Sequence, residues 1–352
     1  MTIALWNPVS TRRTITACCA VLSLMAPAFN AAPAAADLHR TISQAQKKIV
    51  KLYGAGGLRG LEAWQTGLLI SEDGFILTVW SYVLDADRIT AVLDDGRRFD
   101  ARLVGADPSL EVAVLKIDGE ELPSFDLAKA ATVGPGTRVV ALSNVFGVAQ
   151  GNEPATAQAG VVTAVTQLAA RRGIFETPYR GPVYVVDAVT NNPGAAGGAI
   201  INYRGQLVAM IGKELKNSLN NTWLNYAVPI SELRKSVDEI RAGKFVTRQP
   251  SETEKKPNHA HTIADLGVLL LPDVLERTPP FVDQVQDRSP AARAGVQPDD
   301  LIVLVGDRLI QSIKNLHAEL EYIDHEDPVK LTVIRGHELV EIVIASGDRI
   351  KP

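Results

Sequence analysis

From Trp64 to Pro229 the chain is written in short apolar runs separated by turn residues. Thr66 to Ile70 leads through Glu72-Asp73-Gly74 into Phe75 to Thr78, and Arg88 to Leu93 leads through Asp94-Asp95-Gly96 into Arg98 to Val104. Asp-Gly between two apolar runs is a tight-turn signal, because glycine accepts the positive φ that such turns need. Val112–Ile117, Arg138–Ser143, Val161–Val165, Val183–Val186, Ala199–Asn202 and Leu207–Ile211 continue the series. Closely spaced strands of this kind predict an all-β unit, either one large sheet structure or two small barrels side by side.

Upstream, Leu38, Ile42, Ala45, Ile49 and Leu52 recur at spacings of three and four, so an amphipathic helix is expected over 37–53. Gly54 to Gly60 reads as a turn. Its likeness to a phosphate loop lacks the following strand–loop–helix unit and acidic partner. Ile230 to Ala242 predicts a helix closing a domain over 54–242. Residues 243–261, charged and carrying Pro250 and Pro257, predict a linker. The remaining 262–352 mixes strands (Val282–Val285, Leu301–Val305, Lys330–Ile334, Leu339–Ile344) with helical patterns at Pro290–Ala294 and Ile313–Ile323. A small α+β domain is expected there.

Composition narrows the function classes. The 352 residues are 46% apolar and 22% charged, enough for two domains with buried cores. Nothing in a net charge of −4 argues for a phosphate-binding surface, so nucleic acid is not an expected partner. Arg12 and Arg13 precede a small-residue apolar stretch, Ala17 to Ala32, and Ala34-Ala35-Ala36 offers a cleavage site. Residues 1–36 therefore read as a signal peptide and the product as exported, to the periplasm or cell envelope; an uncleaved anchor is the alternative. Pro27 and Asn30 interrupt the run too early for a confident membrane span. Cys18 and Cys19 are the only cysteines, so cleavage leaves none for disulfides, thiolate metal sites or nucleophiles. No cofactor or metal is expected, and Asp324-His325-Glu326-Asp327 reads as a solvated loop.

Six stretches in order then carry a resemblance: Gly67–Thr78, Leu93–Arg97, Ala113–Lys116, Asn144–Gly147, Pro193-Gly194-Ala195-Ala196-Gly197-Gly198 and Tyr226–Pro229. Together they resemble the HtrA/Deg family of trypsin-like proteases with PDZ domains, over about Val50 to Ile350. The resemblance implies a mainly β protein, a chymotrypsin/trypsin-like double β-barrel followed by a small α+β PDZ domain, with an active site between the barrels. It places the family's catalytic histidine at Ser81, its aspartate at Glu111 and its nucleophile at Ala196. The run from Asp187 to Pro193 is one residue longer than the family pattern.

Amide hydrolysis on such a fold needs a hydroxyl, a base and a group that orients the base. Ala196 offers a methyl group, and Ser81 does not titrate near neutral pH. The histidines are His39, His259, His261, His317, His325 and His337, so none lies between Arg40 and Asn258. A triad cannot have migrated within that region, and a serine–lysine dyad on Ser81 has no support. The expectation is a pseudoprotease. The N–H groups of Gly194 and Ala196 either still receive a carbonyl or carboxylate as a vestigial oxyanion loop, or the glycines only close a turn. Lys213, Glu214, Trp223 and Asn225 are candidates for the cleft wall that the sequence leaves unplaced.

In the last domain, Ser289–Val296 followed by Asp299-Asp300-Leu301-Ile302 resembles the helix–turn–strand core of a bacterial PDZ domain. Leu266-Gly267-Val268-Leu269 resembles its carboxylate-binding loop, where a peptide C-terminus is captured by strand addition; the alternative is a plain buried strand start. The leading expectation is thus a non-catalytic scaffold, chaperone or regulator that binds peptide C-termini or unfolded protein. The resemblance implies a homo-trimer, or a hetero-assembly with active relatives. The competing expectations are an active serine endopeptidase with a non-standard site, and a structural oligomerisation module.

Overall fold

The computed structural model describes residues 34–54, 63–84, 86, 88–172, 175–248, 255–274, 277–336 and 338–345. Most of the expected signal peptide (1–33) and of the Gly54–Gly60 turn therefore lie outside the described residues. So do 249–254 of the linker.

The first helix, α1 (Ala34–Gln46), stops short of the expected boundary, and Ile49–Tyr53 is a strand, β1. Ile42, Ala45, Ile49 and Leu52 satisfy a helical spacing, yet Ile49, Val50, Lys51 and Leu52 are all buried. A segment buried on every side belongs in a sheet's interior, and the β-branched Ile49-Val50 pair favours it there. β1 pairs with β2 (Trp64–Leu69) and with β4 (Ile89–Val92). With β3 (Phe75–Val79), β5 (Arg98–Asp107) and β6 (Val112–Lys116) it closes a barrel of order β1-β2-β3-β6-β5-β4. The first barrel thus begins at Ile49.

A second closed barrel takes β7 (Arg138–Ser143), β8 (Thr156–Gln167), β11 (Pro182–Val186), β12 (Ala199–Asn202), β13 (Leu207–Ile211) and β15 (Tyr226–Pro229). Between these, β9 (Ala170–Arg172), β10 (Phe175–Glu176) and β14 (Lys216–Asn217) form a small outlying sheet. Along β6, Ala113 and Leu115 fill the first barrel while Val112 and Val114 face outward into a shared core with the second. Along β7, Val139 and Ala141 point into the second barrel and Val140 and Leu142 into that shared core. Successive side chains alternate faces, so a strand that is apolar at every position serves two cores at once. Helix α2 (Ile230–Arg241) adds Leu233, Val237 and Ile240 to the shared core.

The C-terminal domain contains α3 (Ile263–Leu266), β16 (Val268–Leu270), β17 (Val282–Val285), α4 (Pro290–Ala294), β18 (Leu301–Val305), β19 (Arg308–Leu309), α5 (Ile313–Leu320), β20 (Val329–Arg335) and β21 (Glu338–Ile344). Ser289 caps α4 with Pro290 at its first turn and Gly295 left-handed at its end, the asymmetry expected of a short helix. In β18, Ile302 and Val305 belong to this domain's core, whereas Val303 and Leu304 pack with the first barrel. The start of the expected linker is an anchor. Phe245 accepts from Ala106 and donates to Asp307, tying β5 to the C-terminal domain. Arg248 makes a two-pronged ion pair with Glu319 of α5 at 2.7 and 2.9 Å, with Glu319 only 6% exposed at its side chain.

Candidate active-site cleft

The three positions that the resemblance assigns to the triad lie where the barrels meet. Ser81 follows β3, Glu111 precedes β6, and Trp80 N–H donates to the Glu111 carbonyl at 2.8 Å, holding the first two positions side by side. Ala196 sits on the loop before β12, and its carbonyl accepts from Thr66 N–H of β2 at 2.9 Å.

Ser81 is spent on local structure. Its hydroxyl donates to Gln65 Oε1 at 2.5 Å and accepts from Val83 N–H at 3.1 Å, capping the 3₁₀ turn Tyr82–Leu84. From Gln65 a buried chain of hydrogen bonds leads to the loop. Gln65 Nε2 donates to Thr78 Oγ1 (2.7 Å), Thr78 Oγ1 to the Thr66 carbonyl (2.7 Å), and Thr66 Oγ1 to the Gly194 carbonyl (2.6 Å). The Ser81, Thr78 and Thr66 hydroxyls and the Gln65 amide are thus joined in one network of neutral groups.

Glu111 is differently occupied. It sits at φ 53°, a left-handed conformation uncommon for a side-chain-bearing residue. One carboxylate oxygen receives Lys213 Nζ at 2.7 Å, from just past β13, and the other the Thr177 hydroxyl at 2.5 Å, from just past β10. The Glu111 and Lys213 side chains are 17% and 19% exposed, so the pair is mostly withdrawn from water. Beneath it lies Tyr226. Burial holds its hydroxyl well above the usual phenol range, the Glu111 charge adds to this, and Lys213 N–H donates to its oxygen. A cavity of about 10 Å³, room for about one water, opens among Glu111, Lys213, Tyr179 and Tyr226.

The loop itself is well formed. Ala195 N–H donates to Asn192 O at 3.0 Å around Pro193 and Gly194, and Gly194 has φ +83°. Proline then glycine at the two central positions is the composition of a type II turn. Gly194 and Gly197 are obligatory: a Cβ on the first would lie 2.3 Å from Asn144 O, and on the second 2.1 Å from Thr66 O. Ala195, Gly197 and Gly198 N–H are all bonded within the protein. Among the described residues, those of Gly194 and Ala196 have no acceptor. Beside them Phe146, 60% exposed and at φ 56°, donates its N–H to Pro193 O.

Of the residues the sequence left unplaced, Lys213 and Asn225 line the cleft: Asn225 Oδ1 accepts from Thr190 and Asn191 N–H at 2.9 and 3.0 Å. Trp223 stands away on the outlying sheet under Lys216 Nζ, 4.5 Å from its ring centre. Thr66, Gln65, Thr78 and Thr177 went unremarked in the sequence, since a strand threonine carries no sign of what it will face. Leu266 ends α3, Gly267 caps it left-handed, and Val268 and Leu269 enter β16.

Residues 65–210 match the trypsin-like peptidase domain family, and 281–335 the PDZ domain family. A probable periplasmic serine endoprotease, DegP-like, of Brucella suis is 30% identical over 279 residues, covering 79% of this chain and 51% of that protein. The chain belongs to the HtrA/Deg family. An HtrA/Deg relative named in the same way from Halomonas elongata is 28% identical over 295 residues, 80% of this chain and 56% of its own length. The chain thus spans about half the length of these relatives. A solved serine endoprotease from Yersinia pestis covers 88% of this chain and 96% of its own at 21% identity and TM-score 0.48. Among the described residues no helix is long and apolar enough to cross a membrane, and no group of three or more metal-ligating side chains gathers.

Proposed function

We propose that this HtrA/Deg protein is a non-catalytic member of its family, a periplasmic or envelope protein that holds peptides or unfolded segments without cleaving them. The observation that carries this reading is the methyl group of Ala196 on an otherwise well-formed nucleophile loop, in a region with no histidine from 41 to 257. Without the serine–histidine unit, turnover falls by a factor on the order of 10⁶. Glu111 has Lys213 on one oxygen and Thr177 on the other, and no histidine of that region is present for it to orient. The peptide-binding half of the reading rests on the two unbonded N–H groups at Gly194 and Ala196 and on the edge of β16. Gly267 O accepts from Gln286 N–H on the β17 side, so the Val268 N–H faces the opposite edge, where no strand pairs among the described residues.

The test is hydrolysis of unfolded casein by the purified protein, beside a variant carrying Ser81→His, Glu111→Asp, Ala196→Ser and Lys213→Ala. The natural chain is expected to be silent while binding casein. Cleavage by the natural chain at a rate above 10⁻³ of an active relative would overturn the reading.

A further inference from the structure

After α2 the chain passes to the C-terminal domain, and three backbone bonds draw separate segments around one hairpin turn. Phe245 N–H donates to Asp307 O at 2.9 Å, Leu309 N–H to Val246 O at 3.0 Å, and Gly306 N–H to Lys330 O at 2.8 Å. The turn runs from Val305 to Arg308, between β18 and β19. Its neighbours are thus the residues that follow α2 and the start of β20. A cavity of about 420 Å³ opens there, and Lys244, Arg308 and Lys330 line it, each from a different segment.

The charges around this cavity do not balance. Of the two acids that line it, Glu319 has both oxygens on Arg248 at 2.7 and 2.9 Å and is already neutralised. Asp307 stands exposed on the turn. Lys244 is shared with Glu239 at a loose 3.4 Å, with half of its side chain in water. Arg308 and Lys330 have no ion pair among the described residues. With Arg248 and Glu239 included, four cations meet three anions, in a chain whose net charge is −4.

Cations gathered on the walls of a concave site focus their field and hold an anion better than the same charges on a flat surface. A guanidinium fork and two ammonium groups on three segments suit a tetrahedral group with several oxygens. A carboxylate offers only two, in one plane. The cavity is larger than a phosphate alone requires, and Val305, Ile323 and Pro328 give apolar wall for an organic remainder.

We propose that this cavity binds the phosphate of a small phosphomonoester, held by Arg308 and Lys330 with Lys244 completing the set. The bound group joins the residues after α2 to the C-terminal domain and so acts as an effector that fixes the two against each other. The concave site favours a free molecule over the headgroups of a membrane surface. The inference is independent of whether the cleft between the barrels cleaves peptides or holds them.

The test is calorimetric titration of the full chain with inorganic phosphate and with glycerol 2-phosphate, beside acetate and glycerol. It is run at low ionic strength and mildly alkaline pH, where a phosphomonoester carries close to two charges. Arg308→Gln and Lys330→Gln, each checked for an unchanged thermal transition, should weaken both phosphates about tenfold or more, the loss of one charge-assisted hydrogen bond. Asp307→Asn should tighten binding by removing a like charge, and Lys235→Gln, exposed on α2 outside the cavity, should change nothing. Bound phosphate should also slow amide exchange at Phe245 and Leu309, whose N–H groups join the two segments. Acetate binding as tightly as phosphate would overturn the inference, as would phosphate binding unchanged in the folded Arg308→Gln/Lys330→Gln double variant. Absence of binding by both phosphates would overturn it too; if vesicles of phosphatidate in phosphatidylcholine then sedimented the protein, the cations would mark a membrane surface instead.

Discussion

Lys213 Nζ reaches across the cleft to Glu111 Oε1 at 2.7 Å, so the position the family resemblance assigns to a catalytic aspartate is here one half of an ion pair between the two barrels. Glu111, with one oxygen on Lys213 and the other on Thr177, ties the start of β6 to the residues that follow β13 and β10.

That tie has a measurable consequence. Lys213→Met leaves a largely buried carboxylate without its counter-charge, and should cost about 3 kcal/mol of stability. The double variant Glu111→Gln/Lys213→Met should recover at least half of that loss. Urea unfolding midpoints of the two single variants and the double variant measure the coupling.

Thr66 holds the 194–196 loop from both ends: its hydroxyl donates to Gly194 O and accepts from Asn144 N–H, while its N–H donates to Ala196 O. Thr66→Val keeps the shape and strands two buried backbone groups, with an expected cost of about 1–3 kcal/mol. Amide exchange at 194–198 should accelerate in Thr66→Val and return to normal in Thr66→Ser.

Gly197 has φ +82° and no room for a Cβ. Gly197→Ala should therefore destabilise the protein by about 2 kcal/mol or more, through strain plus displacement of β2. Gly134, at which a Cβ meets nothing within 4 Å and the φ is ordinary, is the control: Gly134→Ala should fall within about 0.5 kcal/mol of the parent by thermal melting.

Lys51 supplies a pH signature. It is 1% exposed, donating to Gly151 O and Glu153 O at 2.6 and 3.0 Å, and burial lowers its pKa from 10.5. A lysine with a lowered folded pKa binds fewer protons folded than unfolded. Its contribution to stability therefore rises with pH between the lowered value and 10.5. The stability difference between the parent and Lys51→Met should move in the parent's favour over that interval, as read from denaturation midpoints at stepped pH.

Much of this molecule is legible before folding. The Asp-Gly turns at 73–74 and 95–96 place hairpin strands within three residues of the bounds of β3 and β4–β5, and the residue types at 81, 111 and 196 carry the expectation of a non-catalytic protein. These are local properties. A turn glycine, an alternating strand and a methyl where a hydroxyl is needed mean the same thing in any surroundings.

What the chain order could not convey is which groups meet. Ile49–Tyr53 carries a helical spacing and becomes a strand because barrel closure buries all its faces, a demand made by β2 and β4 and not by the segment itself. Lys213 and Glu111 are separated by 102 residues and Thr66 and Gly194 by 128, and no spacing rule links them. Side-chain identity was determined by the sequence; the partner of each buried charge or hydroxyl was decided only when two barrels closed and packed, because hydrogen bonds and ion pairs act over a few ångströms of space and take no account of distance along the chain.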